Sequence, residues 1–206
     1  MKKKYNIAII GFGGHTHSLL NLIDNDEYNI IGIFDDSFNE NIKEHINGIK
    51  LIGKLKDLPN HTKLVLSIGD NDNRKLIFNK EHPKILDNNL IHKNSIIEPS
   101  VDLGKSNQFF SNTLLNSKVS IGDNNIVNSG AILEHEVVIG SHNHISIGSI
   151  LCGKAKIGDS CFLGAGSVVI NNIKITDNVI VGANSVVLKN INQSGTYVGN
   201  PARKIK

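Results

Sequence analysis

No stretch of this chain approaches the roughly 18 consecutive apolar residues that a membrane span requires, so no membrane span is expected. The Met1 segment also lacks the apolar core of a secretory signal. Cysteine is scarce. Cys152 and Cys161 are the only two, and their spacing matches no metal-ligand pattern. A reducing cytoplasm is the simplest setting for such a chain. Net charge is only +3, and the lysines are scattered apart from a short run at Lys2 to Lys4 that is expected to be a solvated terminus. Nucleic acid is therefore not an expected partner. Apolar residues make up 39% of the 206 positions. That is little for a globular core, but enough for a solenoid that needs one apolar row per face.

What the chain does have is a repeat. From Ile91 to Asn192 it runs through seventeen hexads without an insertion, and the first position of each is apolar, as in Ile91, Ile97, Leu103, Phe109 and Leu115. The fifth position is usually small, β-branched or Asn, as in Ala131, Asn143, Ser149, Ala155, Cys161, Ser167 and Ser185. Short hexads with one inward aliphatic residue each predict a parallel β-helix, with three hexads to a triangular coil of 18 residues. Cys161 is then a small core residue. Pairs such as Gly122-Asp123, Gly140-Ser141, Gly158-Asp159 and Gly182-Ala183 are expected to supply tight corners and positive φ. The tail from Gly195 leaves the repeat and is expected to close the open end of the helix.

The periodicity changes near residue 90, which predicts two domains, 1–90 and 91–206. In the first, strands are expected at Tyr5 to Ile10, Asn29 to Phe34, weakly at Gly48 to Ile52, and at Leu64 to Ile68. Helices are expected from His17 to Ile23 and from Asn73 to Lys80. Such alternation predicts a small Rossmann-like parallel α/β sheet. Its first turn, Gly11-Phe12-Gly13-Gly14-His15-Thr16, lies where a dinucleotide fingerprint would lie, but Thr16 stands in place of the third glycine. NAD is therefore not the expected ligand. The turn retains backbone N–H groups suited to a phosphate. Asp35-Asp36 close the second strand at the distance where an acidic residue reaches a ribose or base, and Gly69 follows a later strand on the same rim.

Within the repeat, Leu133-Glu134-His135-Glu136-Val137 places three titratable residues in a structure whose core has no use for charge. For an arbitrary histidine on a β-helix, a solvated position is the commoner case. An imidazole, with an ordinary pKa of about 6.5, nevertheless suits general-base work at neutral pH. A neighbouring carboxylate orients the ring and stabilises its protonated form. His142 and His144 invite a metal reading, but no cysteine or other ordered ligand accompanies them, so no metal is expected.

Hexads of the form aliphatic-Gly-x-x-small-x, together with the ending Gly199-Asn200-Pro201-Ala202, resemble the hexapeptide acyltransferases. The resemblance implies a left-handed β-helix, a hand that periodicity alone does not give. Combined with the N-terminal α/β region and Glu134-His135-Glu136, the chain resembles sugar acetyltransferases of the sialic-acid O-acetyltransferase type, including those acting on nucleotide-linked 4-amino sugars. The resemblance implies transfer from acetyl-CoA to the amine of a UDP- or dTDP-linked 4-amino sugar, with His135 as general base and Glu136 raising its basicity. It implies coenzyme contacts at His144, Gly153, Ala165 and Ala183. It implies nucleotide-sugar contacts at Gly13, Gly14, His15, Asp35, Asp36 and Gly69, and a homotrimer in which Asn128 works beside the base of a neighbour. The alternatives are O-acetylation of sialic acid or a related sugar on the same fold, a non-catalytic β-helix that binds or scaffolds, and an oxidoreductase using the N-terminal turn.

Overall fold

A computed structural model describes residues 4–206. Lys2 and Lys3 of the basic run, and Met1 before them, lie outside the described residues. The chain divides into two compact units, Met1–Asn88 and Asn89–Lys206.

The first unit is a five-stranded sheet in the order β3-β4-β2-β1-β5. Its strands are β1 (Tyr5–Ile10), β2 (Tyr28–Phe34), β3 (His45–Ile46), β4 (Ile49–Gly53) and β5 (Lys63–Leu66). All neighbours are parallel except β3, which turns back on β4. The centre of β1 is Ile7-Ala8-Ile9-Ile10, all essentially buried, as befits a strand flanked on both sides. Helix α1 covers Gly14–Leu19, and a single 3-10 turn follows at Leu20–Leu22. It starts earlier than His17 because its first turn, Gly-His-Thr-His, carries no apolar periodicity. Helix α2 covers Asn71–Lys80 and also starts earlier than expected, because Asp70 caps it by accepting the N–H of Asn73 at 2.9 Å.

The second unit is a parallel β-helix. Strands recur every six residues from Leu90–Ile91 to Val186–Val187 and form three sheets. In the first sheet Ile96, Leu114, Ile132, Ile150, Val168 and Val186 stand in register, each paired with a residue 18 further on. The second sheet runs through Asp102, Ser120, Val138, Lys156 and Lys174. The third runs through Leu90, Gln108, Ile126, His144, Phe162 and Ile180. From Phe109 onward the second residue of each pair points inward and is buried; in the first coil Ile91, expected inward, is 42% exposed because no earlier coil covers it. Leu115, Leu133, Leu151, Leu163 and Val169 are fully buried and join Ala131, Ala155 and Cys161 in one continuous core. The tail extends the third sheet: Gly195–Val198 pairs in parallel with Val179–Val181, and Arg203–Lys204 returns antiparallel to it. Tyr197 and Ala202 pack on the core, so the tail covers the last coil.

The corners correct one expectation. Positive φ does not fall at Gly122, Asp123, Gly140, Gly158, Asp159 or Gly182. It falls one or two residues later, at every sixth position from Ser106 through Asn112, Lys118, Asn124, Gly130 and Glu136 to Asn184. The glycines serve close approach instead. A Cβ on Gly140 would lie 2.9 Å from the carbonyl oxygen of Gly158, and one on Gly122 would lie 2.9 Å from that of Gly140. From Gly104 to Gly158 the stacked coils pass too near at this corner for a side chain; Thr176 takes the position in the next coil.

Side chains stitch the coils where the sheets do not. The Asn107 carboxamide oxygen accepts the N–H of Asn125 at 2.8 Å, Asn125 that of Asn143 at 2.7 Å, and Asn143 that of Cys161 at 2.7 Å. All four residues are fully buried. Replacing Asn143 by Ala strands the buried N–H of Cys161, and a loss of about 2 kcal/mol is expected. It should appear as a lower urea midpoint at unchanged slope.

Candidate active site

The corner holding Glu134-His135-Glu136 joins strand Ile132–Leu133 of the first sheet to Val138–Ile139 of the second. Leu133 and Val137 anchor it inward and are fully buried. Glu136 adopts φ 59°, which turns the chain and projects the two side chains outward. The side chains of His135 and Glu136 are 52% and 45% exposed, and His135 Nδ1 lies 3.2 Å from Glu136 Oε2. Glu134 takes no part in that pair. Its Oε2 accepts from Asn116 Nδ2 at 3.0 Å, one coil away.

Glu136 also sits in a column. Lys118 and Lys154 occupy the same corner position one coil to either side, and both share its positive φ. Lys154 Nζ is 3.7 Å from Glu136 Oε2. The hydrogen bond to His135 pulls the Glu136 carboxyl below its ordinary value. Slight desolvation opposes the shift, while the charges of Lys154, His135 and Lys118 add to it. The carboxylate thus stays ionised to lower pH than an ordinary glutamate. Sequence reasoning missed both lysines, although their spacing of 18 from Glu136 was there to be read.

Gly153 is buried one coil beyond His135, and Lys154 donates its N–H to the His135 carbonyl at 3.0 Å. His144 lies on the third sheet, 8% exposed, edge-on to Phe162 with ring centroids 5.1 Å apart. Asn128 comes with it, its Nδ2 being 3.4 Å from His144 Nε2. His142 meets Asn124 instead, at 2.9 Å. Ala165 and Ala183 stack one coil apart on the corner that precedes the first sheet's strands, and the N–H of Asn184 donates to the Ala165 carbonyl at 2.9 Å. His135 and Gly153 lie on the corner that follows those strands. Within one chain the first sheet therefore separates the histidine corner from the alanine column.

In the first unit, the carboxyl ends of β1, β2 and β5 form one rim. Gly13 and Gly14 are exposed there, His15 is half-buried on the first turn of α1, and Gly69 follows β5. A Cβ on Gly13, Gly14 or Gly69 would meet nothing within 4 Å, and the Gly69 carbonyl accepts from Arg74 Nη1 at 3.2 Å. Asp35 faces inward instead. One carboxylate oxygen accepts the N–H of Phe12 at 2.9 Å, and the other accepts the N–H and hydroxyl of Ser37 at 2.9 and 2.6 Å. Burial would raise its carboxyl, but these donors outweigh burial and hold it below the ordinary value. Asp36 is exposed. It accepts from Leu55 N–H at 3.2 Å and borders a cavity of about 610 Å³ with Ser37, Phe38, Lys54, Lys56 and Asp57. Thr16, where a dinucleotide site would have glycine, is fully buried. It donates to the Gly11 carbonyl at 2.8 Å and accepts from the Ser67 hydroxyl at 2.9 Å.

Among the described residues, no group of three or more His, Cys, Asp or Glu side chains is placed to hold a metal ion. Nor is any helix there long and apolar enough to cross a membrane. Both cysteines are free. Burial pushes the Cys161 thiol up to about 11. Burial, with Glu134 nearby, raises that of Cys152 as well. Neither is a ready thiolate nucleophile.

Residues 6–81 match the PglD N-terminal domain family, and residues 154–189 match the bacterial transferase hexapeptide family. No curated protein sequence matches the chain. Among solved structures, one similar protein is a histidine-to-alanine variant of GDP-perosamine N-acetyltransferase from Caulobacter crescentus in complex with CoA and GDP-perosamine. It is 28% identical, covers 98% of this chain and 97% of its own, and superposes with a TM-score of 0.91. The acetyltransferase domain of PglB from Neisseria gonorrhoeae in complex with acetyl coenzyme A is 25% identical over 98% of this chain and 100% of its own, with a TM-score of 0.89. The N-acyltransferase AntD from Bacillus cereus in complex with dTDP and 3-hydroxybutyryl-CoA is 26% identical over 58% of this chain and 79% of its own, with a TM-score of 0.55. Three stacked sheets of hexads, an α/β unit before them and relatives that span nearly the whole chain lead to one assignment: this chain is a hexapeptide-repeat, left-handed β-helix acyltransferase related to the GDP-perosamine and PglB types of nucleotide-sugar N-acetyltransferase.

Proposed function

We propose that this chain is an acetyl-CoA-dependent N-acetyltransferase acting on the amino group of a nucleotide-linked 4-amino-deoxy sugar. The observation that carries its mechanism is the His135–Glu136 pair. Nδ1 faces the carboxylate at 3.2 Å, and Nε2 has no hydrogen bond among the described residues. That nitrogen is placed to take the proton of an attacking amine. The amine nitrogen bonds to the thioester carbonyl carbon and gives its proton to Nε2. The carbon–sulfur bond then breaks, and the coenzyme thiolate takes the proton back from the imidazolium. No covalent enzyme intermediate is needed, in keeping with two protonated cysteines.

The first unit would hold the nucleotide, with phosphates against the side-chain-free surface of Gly13, Gly14 and Gly69 and with His15 and Asp36 at its edges. Asp35, bound on both oxygens by its own chain, would keep the turn in shape. Binding outside the carboxyl ends of parallel strands is the usual place for such a ligand. Coenzyme would lie along the Ala165–Ala183 column beside His144. Because that column and His135 lie on opposite edges of the first sheet, a complete site requires a neighbouring copy, and we assign a homotrimer with Asn128 at the junction. The outer side of the first sheet supports this, being a row of aliphatic side chains. Ile96 is 58% exposed there, and Leu114, Ile132, Ile150, Val168 and Val186 are half-buried. Two free thiols fit a reducing cytoplasm.

The reading is tested by comparing acetyl transfer to GDP-, UDP- and dTDP-linked 4-amino sugars with transfer to free or CMP-linked sialic acid. Turnover of a nucleotide amino sugar is expected, and His135→Ala should lower kcat by about 10²- to 10⁴-fold. Preference for a sialic acid hydroxyl would overturn the amine assignment. For Glu136 the sign is set by its depressed folded value. Its stabilising contribution is complete above the ordinary carboxylate range and lost only as pH falls through the lower folded value. Glu136→Gln should therefore slow the reaction at neutral pH, where the wild-type carboxylate is ionised and faces His135. Sedimentation should give three times the 22.4 kDa chain mass, and Ile132→Asp should yield monomers without activity.

A further inference from the structure

We propose that Gly153 is a positioning residue for the His135 imidazole: it is glycine because any side chain there would occupy the space in which the ring lies. A Cβ built on Gly153 would stand 2.6 Å from both Cε1 and Nε2 of His135, and 3.2 Å from Nδ1. No heavy atom tolerates such contacts, so the ring would have to move. The backbone does not explain the glycine. Gly153 is not among the glycines with positive φ. The equivalent corner position of other coils, 18 residues apart, is held by Pro99, Ser117, His135 and Asn171. A corner that accepts proline, serine and asparagine elsewhere has no conformational need for glycine here. Only this coil follows one with an imidazole at that position.

The consequence is geometric. The ring has the buried Gly153 backbone beneath it and Glu136 at its edge. With Nδ1 turned to the carboxylate, Nε2 is the nitrogen left for the substrate. A methyl group at 153 would lift the ring away from both supports and leave the fold in place, because the imidazole is 52% exposed and has room to swing outward. Misplacing a catalytic group by about 1 Å costs on the order of 10²-fold in rate.

The inference rests on His135 being the base, and its test separates the two. Gly153→Ala, His135→Ala and the double variant are assayed for kcat, both KM values, coenzyme A affinity by calorimetry, and melting temperature. Gly153→Ala should lower kcat at least about tenfold, with Tm within about 2 °C. In the His135→Ala background the same change should alter the residual rate less than about twofold, because a residue acting only through the ring has nothing left to act on. If His135→Ala is itself fully active, the catalytic reading falls. If His135→Ala is impaired but Gly153→Ala matches the wild type, only the positioning inference falls. It falls equally if Gly153→Ala costs the same in both backgrounds or does not fold.

Discussion

Each short strand of the solenoid is hydrogen-bonded to its counterpart one coil of 18 residues away, and the other properties of that unit follow from this parallel register. A strand of two residues has no stability alone. It persists because its N–H and C=O groups find partners above and below, and because its inward aliphatic side chain lies on a column of the same kind. The register also sets the corners. One residue in six takes a left-handed conformation, and the stacked glycines at Gly104, Gly122, Gly140 and Gly158 let neighbouring coils touch backbone to backbone.

The same register builds the chemistry. A side chain on a corner has its neighbours at plus and minus 18, so charges and rings that are far apart in sequence become stacked. Glu136 lies between Lys118 and Lys154, whose charges add to the His135 hydrogen bond in holding its carboxyl below the ordinary value. His135 lies over Gly153, which gives its ring room. No loop is inserted to shape a pocket. The catalytic pair is instead held by buried Leu133 and Val137 on either side of it, a rigid mounting for groups that are themselves exposed.

The N-terminal unit solves a different problem. Its glycine-rich turn is pinned from three directions by Thr16, Ser67 and Asp35, through hydrogen bonds to Gly11, Thr16 and Phe12. Thr16 fills the position where a dinucleotide site would need glycine and uses it for an internal bond. Asp35, which position in the sequence offered to a ligand, is spent on the turn, leaving Asp36 toward the cavity.

Much was legible in the chain itself. Hexad periodicity determined the β-helix, its inward row and the coil length, because a side-chain pattern that repeats without slippage admits one way of burying its apolar positions. The charged hexad at Glu134-His135-Glu136 stood out for the same reason. Helix starts at Gly14 and Asn71 were less legible, since polar caps carry no periodicity. The residues alone left open which glutamate pairs with His135, since Glu134 and Glu136 flank it symmetrically in sequence; the family resemblance pointed to Glu136, and the structure gives the physical reason. The left-handed turn at Glu136 brings that carboxylate to the ring and leaves Glu134 to Asn116. Only the structure showed that the corner glycines serve close packing and that His135 and the Ala165–Ala183 column lie on opposite edges of a sheet. These are relations between coils, and sequence order specifies them only after the chain has been wound.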